Sequence, residues 1–425
     1  MKKIAIIGFG SAGYHAAVQV RKLDPDATID IYMDTDLGPY NPMLTTYYVK
    51  GDIPYSALFP FGSAEQIAEE FQLNLHKSTP VTSLIPEKKV LCFADGRQVQ
   101  YDQILISTGA SAFMPPIEGI DLPGVVKMRT VQDAEKLKDL LDSGTIKTAL
   151  VIGASWVGIK IVEDLVSYRI PCTLVDGAQW MFYVAAFEET AKRIHEDLER
   201  KGVSLAFGQL LSHIEQAPNG QLTAVMRNGQ QFTADMVAVC IGVRMNVDFL
   251  RNCDLQINRG VITDAHMRTN YEGIYAAGDC CEAIDIQSGT PKNIGVWFNA
   301  AKQGTVAGIN MAGGHAHFGG NVLVNLAHYL DYDFISIGDV SLCRSSDEAY
   351  EYESERYYIR AVRRGNRILC INMIGSACSN GLVKNAFIKS IENKEAGLDI
   401  ASICYLKEQE FPDEFIDFLG GNHVD

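Results

Sequence analysis

The feature that most constrains this 425-residue chain is an internal repeat. A short apolar run, Ile4-Ala5-Ile6-Ile7, leads into Gly8-Phe9-Gly10-Ser11-Ala12-Gly13, then a helix-compatible segment from Tyr14 to Lys22, then a strand, Thr28 to Met33, that ends on Asp34. The same order recurs in Ala149 to Ile152, Gly153-Ala154-Ser155-Trp156-Val157-Gly158, a helix from Ile159 towards Tyr168, and the strand Cys172 to Val175 ending on Asp176. Each copy then passes through a hairpin, turned at Asp95-Gly96 and at Asn228-Gly229, into a further strand. Those strands, Gln103 to Ser107 and Met236 to Ile241, close on Thr108-Gly109 and on Gly242. A strand, a glycine turn, a helix and an acid about 20 residues on are the parts that hold a dinucleotide. The first glycine permits the tight turn, the second lets backbone approach a pyrophosphate, and the third lets the helix pack on the sheet. The helix N-terminus offers N–H groups and a positive dipole end to the phosphates. Two copies predict two such sites.

The rest of the chain supplies one more motif. The apolar strand Ile274-Tyr275-Ala276-Ala277 ends in Gly278-Asp279, which can bring a carboxylate to a ligand at the carboxyl edge of a sheet. Trp297 to Met311 reads as an amphipathic helix, and Gly313-Gly314 with Gly319-Gly320 bracket a linker. Beyond it lie short strands, a hairpin (Arg356 to Val362 and Arg367 to Ile371), and helices from Leu382 to Asn393 and Leu398 to Lys407, without a cofactor motif. The predicted fold class is α/β, with two Rossmann-like dinucleotide-binding domains, inserted β-hairpins and a C-terminal α+β domain. Residues 1–112 with 244–318 form the first domain, 113–243 the second and 319–425 the third, which reads as a docking or homodimerisation domain.

With 37 basic and 52 acidic residues, a formal charge of −15 argues against partners such as nucleic acid or an anionic membrane surface. No apolar run reaches the 18 or so residues of a transmembrane helix. The chain enters a core strand at once, so a signal peptide is not expected and a cytoplasmic location is. The ten cysteines are scattered, several in apolar strands (Cys240, Cys370), and no metal-ligand spacing appears. The neighbours Cys280 and Cys281 read as packing rather than a redox pair, since adjacent cysteines form only a strained disulfide. His315 and His317 read as exposed loop residues, and Asp347 to Glu355 as a solvated hairpin face. Tyr47 and Tyr48 fit a substrate pocket and ordinary packing equally well.

These motifs resemble the two-dinucleotide-domain flavoprotein reductases related to glutathione reductase. The resemblance rests on Gly8–Gly13, Ser107-Thr108-Gly109, Gly153–Gly158, Ile241-Gly242 and Ala277-Gly278-Asp279. Pro39-Tyr40 and Trp297-Phe298-Asn299-Ala300-x-x-Gln303-Gly304 look most like the ferredoxin and rubredoxin reductase branch. The resemblance implies FAD at the first site, with Gly8, Gly10, Ser11, Ala12, Gly13, Asp34, Pro42, Val81, Thr108, Gly109, Asp279 and Trp297 around it. It implies a nicotinamide nucleotide at the second, with Gly153, Ala154, Ser155, Trp156, Val157, Gly158, Asp176 and Gly242. NADH is expected over NADPH, because Asp176 would repel a 2′-phosphate and Gly177-Ala178-Gln179 offers no cation.

Three departures stand out. No cysteine lies between Pro39 and Gly51, where NADH oxidases and coenzyme A disulfide reductases carry a reactive one. Thr45-Thr46 stands where the ferredoxin reductases have Ser-Lys. The acid usual after the second turn is Lys160. The resemblance places Lys160 where nicotinamide meets flavin, so Lys160, Thr46 and Tyr47 are the catalytic candidates; a solvent-facing Lys160 is the alternative. Three functions follow: NADH reduction of FAD with onward transfer to a ferredoxin- or rubredoxin-like protein, direct action on a small-molecule acceptor, or service as the flavin subunit of a larger redox complex.

Overall fold

The computed structural model describes residues 1–375, 377–392 and 398–420. Uninterrupted apolar runs suit strands covered on both faces, and such strands lie at the centre of both halves of the chain. In the first half, Lys3–Ile7 is flanked by Thr28–Tyr32 and Gln103–Ile106, and the parallel sheet runs Ile274–Ala276, Gln103–Ile106, Lys3–Ile7, Thr28–Tyr32, Asn74–His76. Ile4, Ile6, Ile29, Ile31 and Ile104 are fully buried in its core. In the second half, Ala149–Ile152 is flanked by Cys172–Asp176 and Met236–Val239, with Ser204–Phe207 and Val125–Val126 at the edges, again all parallel. The carboxyl end of each central strand therefore meets its glycine turn beside the next strand, as ligand crevices in open α/β sheets require.

The chain divides into two compact units. The first is Met1–Phe113, Arg129–Glu135 and Val243–Asn321; the second is Met114–Met128, Lys136–Gly242 and Val322–Asp425. Within the first, helix Ser11–Leu23 packs on helix Trp297–Met311 at very short range. A Cβ on Gly304 would lie 2.2 Å from the Ala12 carbonyl oxygen, and one on Gly308 2.4 Å from that of Ala16. Gly304-x-x-x-Gly308 on one helix thus answers Ala12-x-x-x-Ala16 on the other, and only small residues allow the approach.

In the second unit the C-terminal residues form a five-stranded antiparallel sheet, ordered Val324–Tyr329, Tyr332–Gly338, Arg367–Gly375, Tyr358–Arg364, Glu348–Glu353. The unit that holds the second dinucleotide fold also holds Val322–Asp425, and Phe334, Ser336 and Asn372 are buried against that fold's residues. The acids of Glu348–Glu353 are not simply solvated: Glu348 pairs with Arg363, Glu351 with Arg360 and Glu353 with Arg193. Helices Val131–Asp142 and Asp413–Phe418 were not anticipated. The expected helix end at Asn393 lies outside the described residues. No helix among the described residues is long and apolar enough to cross a membrane.

Two candidate dinucleotide sites

At the first turn, Gly8 has φ +96°, and a Cβ there would meet the Ser107 carbonyl oxygen at 2.4 Å. A Cβ on Gly13 would lie 2.2 Å from the Gly8 oxygen. Gly10 differs: a Cβ there would meet nothing within 4 Å. The protein's own packing does not require glycine at that position, but a ligand approaching the backbone would. Gly10 is also the N-cap of helix Ser11–Leu23 and provides no side-chain cap, which leaves the helix's first N–H groups for an external acceptor. Ser11 and Ala12 lie buried in that first turn.

Asp279 follows Gly278, whose φ is +85°, and three side chains from three segments hold this turn. Arg129 Nη2 donates to Asp279 Oδ2 at 2.5 Å, while its Nε donates to the Ala110 carbonyl. Asn293 Nδ2 donates to the Asp279 carbonyl at 2.8 Å. The Gln303 amide oxygen accepts the Gly278 N–H at 2.7 Å. Thr108 Oγ1 donates to the Asn246 carbonyl at 2.7 Å, and Asn246 returns bonds to Thr108 and Gly109. Asp34 is exposed just past its strand. Burial pushes the Tyr40 phenol up; Arg129 opposes this, and Asp133 and Asp34 add to it. Thr46 is buried in helix Thr45–Lys50, Tyr47 is half-buried, and Pro42 opens the preceding short 3₁₀ helix. Val81 begins the strand Val81–Ile85, and Trp297, first residue of its helix, stacks on Phe61. Together an open glycine cradle, uncapped helix N–H groups and a fixed carboxylate fit the pyrophosphate and ribityl chain of FAD.

The second turn is built alike but closed differently. A Cβ on Gly153 would lie 2.3 Å from the Cys240 oxygen, and one on Gly158 1.9 Å from the Gly153 oxygen. Here Ser155 stands at the N-cap, accepting the Gly158 N–H at 3.3 Å and donating to the Cys240 carbonyl at 2.9 Å. Both Asp176 oxygens are engaged by backbone, Oδ2 by the Ala154 N–H at 2.6 Å and Oδ1 by the Ala178 N–H at 2.7 Å. Trp156 is half-buried, Val157 is exposed, and Gly242 has φ +120° with open space beside it. Lys160 does not face solvent. It is 8% exposed, and its ammonium pairs with Glu163 and donates to the His328 carbonyl at 2.9 Å.

None of the ten cysteines is placed in a disulfide. Burial raises the thiols of Cys280 and Cys281, which disfavours the thiolate that redox relay needs. Among the described residues no cluster of three or more His, Cys, Asp or Glu side chains could hold a metal ion. Sequence reading missed Arg129, Asn293 and Gln303 as partners of the Gly278-Asp279 turn. For Arg129 a signal existed: Thr130-x-x-Asp133 is a capping box, with Thr130 N–H donating to Asp133 and Asp133 N–H to Thr130 Oγ1.

A profile of the pyridine nucleotide-disulphide oxidoreductase family matches residues 2–304. The chain belongs to this family. It is an NAD(P)H-dependent flavoprotein oxidoreductase. An NADH oxidase of Methanocaldococcus jannaschii is 29% identical over 318 residues, 74% of this chain and 70% of that one. A rubredoxin-NAD(+) reductase of Alcanivorax borkumensis is 27% identical over 283 residues, covering 66% and 73%. Among solved structures, the water-forming NADH oxidase of Lactobacillus brevis bound to NADH superposes with a TM-score of 0.83 at 23% identity, covering 93% of this chain and 91% of that one. At that identity the likeness speaks for the fold.

Proposed function

We propose that this oxidoreductase uses NADH to deliver electrons to a small electron-transfer protein of the rubredoxin or ferredoxin kind. The observation that carries the reading is the stretch from Asp34 to Gly51, which pairs a buried Thr45-Thr46 with a complete lack of cysteine. With no thiol there, electrons leave for an acceptor outside the chain without a disulfide relay. Similarity to a rubredoxin-NAD(+) reductase supports the same partner class.

FAD, when bound, supplies hydride acceptance from nicotinamide and onward electron release. The chain's own residues do the rest. Gly10 and the helix N–H groups behind it bind the pyrophosphate, Asp34 the adenosine ribose, and Asp279, held by Arg129 and Asn293, the ribityl hydroxyls. At the second site Asp176 selects the 2′-hydroxyl of NADH, since a 2′-phosphate would meet a carboxylate with no Arg or Lys in Gly177-Ala178-Gln179. Thr46 and Tyr47 line the flavin side of the first unit. The segment 319–425 is a candidate surface for self-association.

Similarity to an NADH oxidase supports a second reading, direct reduction of dioxygen or another small acceptor. Stopped-flow absorption separates the two. Protein reduced anaerobically with NADH is mixed with rubredoxin, with ferredoxin, or with aerated buffer. Reoxidation at least ten times faster by one of the proteins supports the proposal. Fast reoxidation by oxygen alone replaces it with the second reading.

A further inference from the structure

Within the second unit, the C-terminal sheet reaches the second glycine turn through an unbroken series of buried contacts. Ser336 and Asn372 sit directly opposite each other on the paired strands Tyr332–Gly338 and Arg367–Gly375. Both are fully buried, and so are Ile335, Ile337, Ile371 and Met373, which alternate with them onto the other face of the sheet. A polar pair in such a place is expensive unless hydrogen-bonded, and apolar residues would serve the sheet equally well. Their polar atoms instead serve the loop 177–187, which follows Asp176. Ser336 Oγ donates to the Ala185 carbonyl at 2.6 Å, and Asn372 Nδ2 donates to the same oxygen at 3.0 Å. Asn372 Oδ1 accepts the Phe187 N–H at 2.8 Å.

The loop passes the constraint on. The Ala185 and Ala186 N–H groups donate to the Phe182 carbonyl, and the Phe182 N–H donates at 3.0 Å to the carbonyl of Ala154, inside the Gly153–Gly158 turn. Phe182 has φ +53°, a conformation that costs a phenylalanine free energy and persists only where its surroundings enforce it. Those surroundings are Trp156 of the turn and Phe334 of the C-terminal strand: the Phe182 ring lies 4.4 Å from Trp156 and 5.2 Å from Phe334, and Trp156 stacks on Phe334 at 5.2 Å and 12°.

We propose that Ser336 and Asn372 are positioning residues for the nicotinamide nucleotide, so that the C-terminal sheet sets the shape of the second dinucleotide site. This rests on the reading of Gly153–Gly158 and Asp176 as the NADH site. The test uses the full-length, FAD-loaded protein. Binding of NAD⁺ is measured by calorimetry, and NADH reduction by stopped flow, for wild type, Ser336→Ala, Asn372→Leu and the conservative Ser336→Thr. The two disruptive variants are expected to weaken NAD⁺ binding five- to twentyfold and raise the NADH KM similarly, with kcat within twofold and the flavin spectrum and content unchanged. Ser336→Thr, which keeps the hydroxyl, is expected to bind as wild type. NAD⁺ affinity within twofold of wild type in both disruptive variants overturns the proposal. So does an equal loss in Ser336→Thr and Ser336→Ala, which would mark a packing role alone. Should either disruptive variant fail to fold, Phe334→Leu, which removes the stack on Trp156, is measured in its place against the same fivefold threshold. Failure of wild type itself to bind NADH or NAD⁺ would instead overturn the assignment of the second site, and that is read before any variant.

Discussion

Arg129 and Asp279 are 150 residues apart in sequence, yet their side chains meet at 2.5 Å in a partly buried ion pair. The pair fixes the carboxylate that follows the Gly278 turn, and Asn293 and Gln303 fix the backbone on either side of it. The position of Asp279 is therefore set before a ligand arrives. Preorganisation of this kind reduces the ordering cost that binding would otherwise incur.

Arg129→Met should consequently weaken FAD retention while the protein stays folded. A hydrogen bond to a charged group is worth about 1.5–3 kcal/mol, so affinity should fall by roughly ten- to a hundredfold. Flavin fluorescence released on dilution measures it. Unchanged retention would separate the pair from the cofactor site.

Lys160→Met should act first on stability. The ammonium and the Glu163 carboxylate are both almost wholly buried, and removing one partner of such a pair costs about 3–5 kcal/mol because the other charge remains. Lys160→Met/Glu163→Met should recover most of that loss, since an apolar pair of similar volume needs no compensation. Urea denaturation of the three proteins decides the matter. If the single variant unfolds at the wild-type midpoint, the pair contributes nothing. The flavin midpoint potential of the double variant then tests the expectation that this lysine tunes the cofactor: no shift leaves Lys160 a structural residue.

Asp176→Asn should alter cofactor choice less cleanly than a purely ligand-facing acid would. Its two oxygens already receive the Ala154 and Ala178 N–H groups, which tie the second glycine turn to the following loop. Asparagine keeps one acceptor and loses the other, so NADH binding is expected to weaken about tenfold, the equivalent of 1.4 kcal/mol. NADPH binding is expected to change less, because relief of charge repulsion offsets the looser turn. Preference of the wild type for NADPH would refute the expectation outright.

The repeat was legible because its parts are local. Strand runs, glycine spacing and terminal acids lie within about 30 residues of one another in each copy, and Ala149–Ile152 and Trp297–Met311 appear with the bounds their sequence suggests. What sequence could not disclose is which distant side chains finish each site. The capping box after Arg129 marks a helix start but not Asp279 as the partner, and nothing near Ser336 or Asn372 points to Ala185, because these bonds depend on how remote segments pack. The lysine at position 160 was visible as a departure from family pattern, but its burial and its pairing with Glu163, one helical turn away, were not. The polar core residues of the last strands were unreadable for the same reason: they serve a loop some 150 to 190 positions earlier.

His195 should give the protein a defined loss of stability in mild acid. Its ring stacks on Phe207, its Nε2 accepts the Met181 N–H at 3.3 Å, and burial, aided by Lys192, lowers its pKa from 6.5 to about 4. Above pH 6.5 the ring is neutral whether the chain is folded or not, and the contribution to stability is constant. Between 6.5 and about 4 the unfolded chain takes up a proton that the folded chain refuses, so stability falls as pH falls. Below about 4 both states are protonated and the loss is complete. The ring is only partly buried, so solvent screening limits the total to on the order of 1–3 kcal/mol. Carboxylates titrate in the same interval, and the comparison must therefore be differential. Unfolding free energies of wild type and His195→Gln are measured from pH 7.5 to 4.5. The difference between them should shrink steadily below pH 6.5, as the wild type loses stability that the variant never had. Parallel curves across that range would mean the Met181 bond does not depend on the charge of His195.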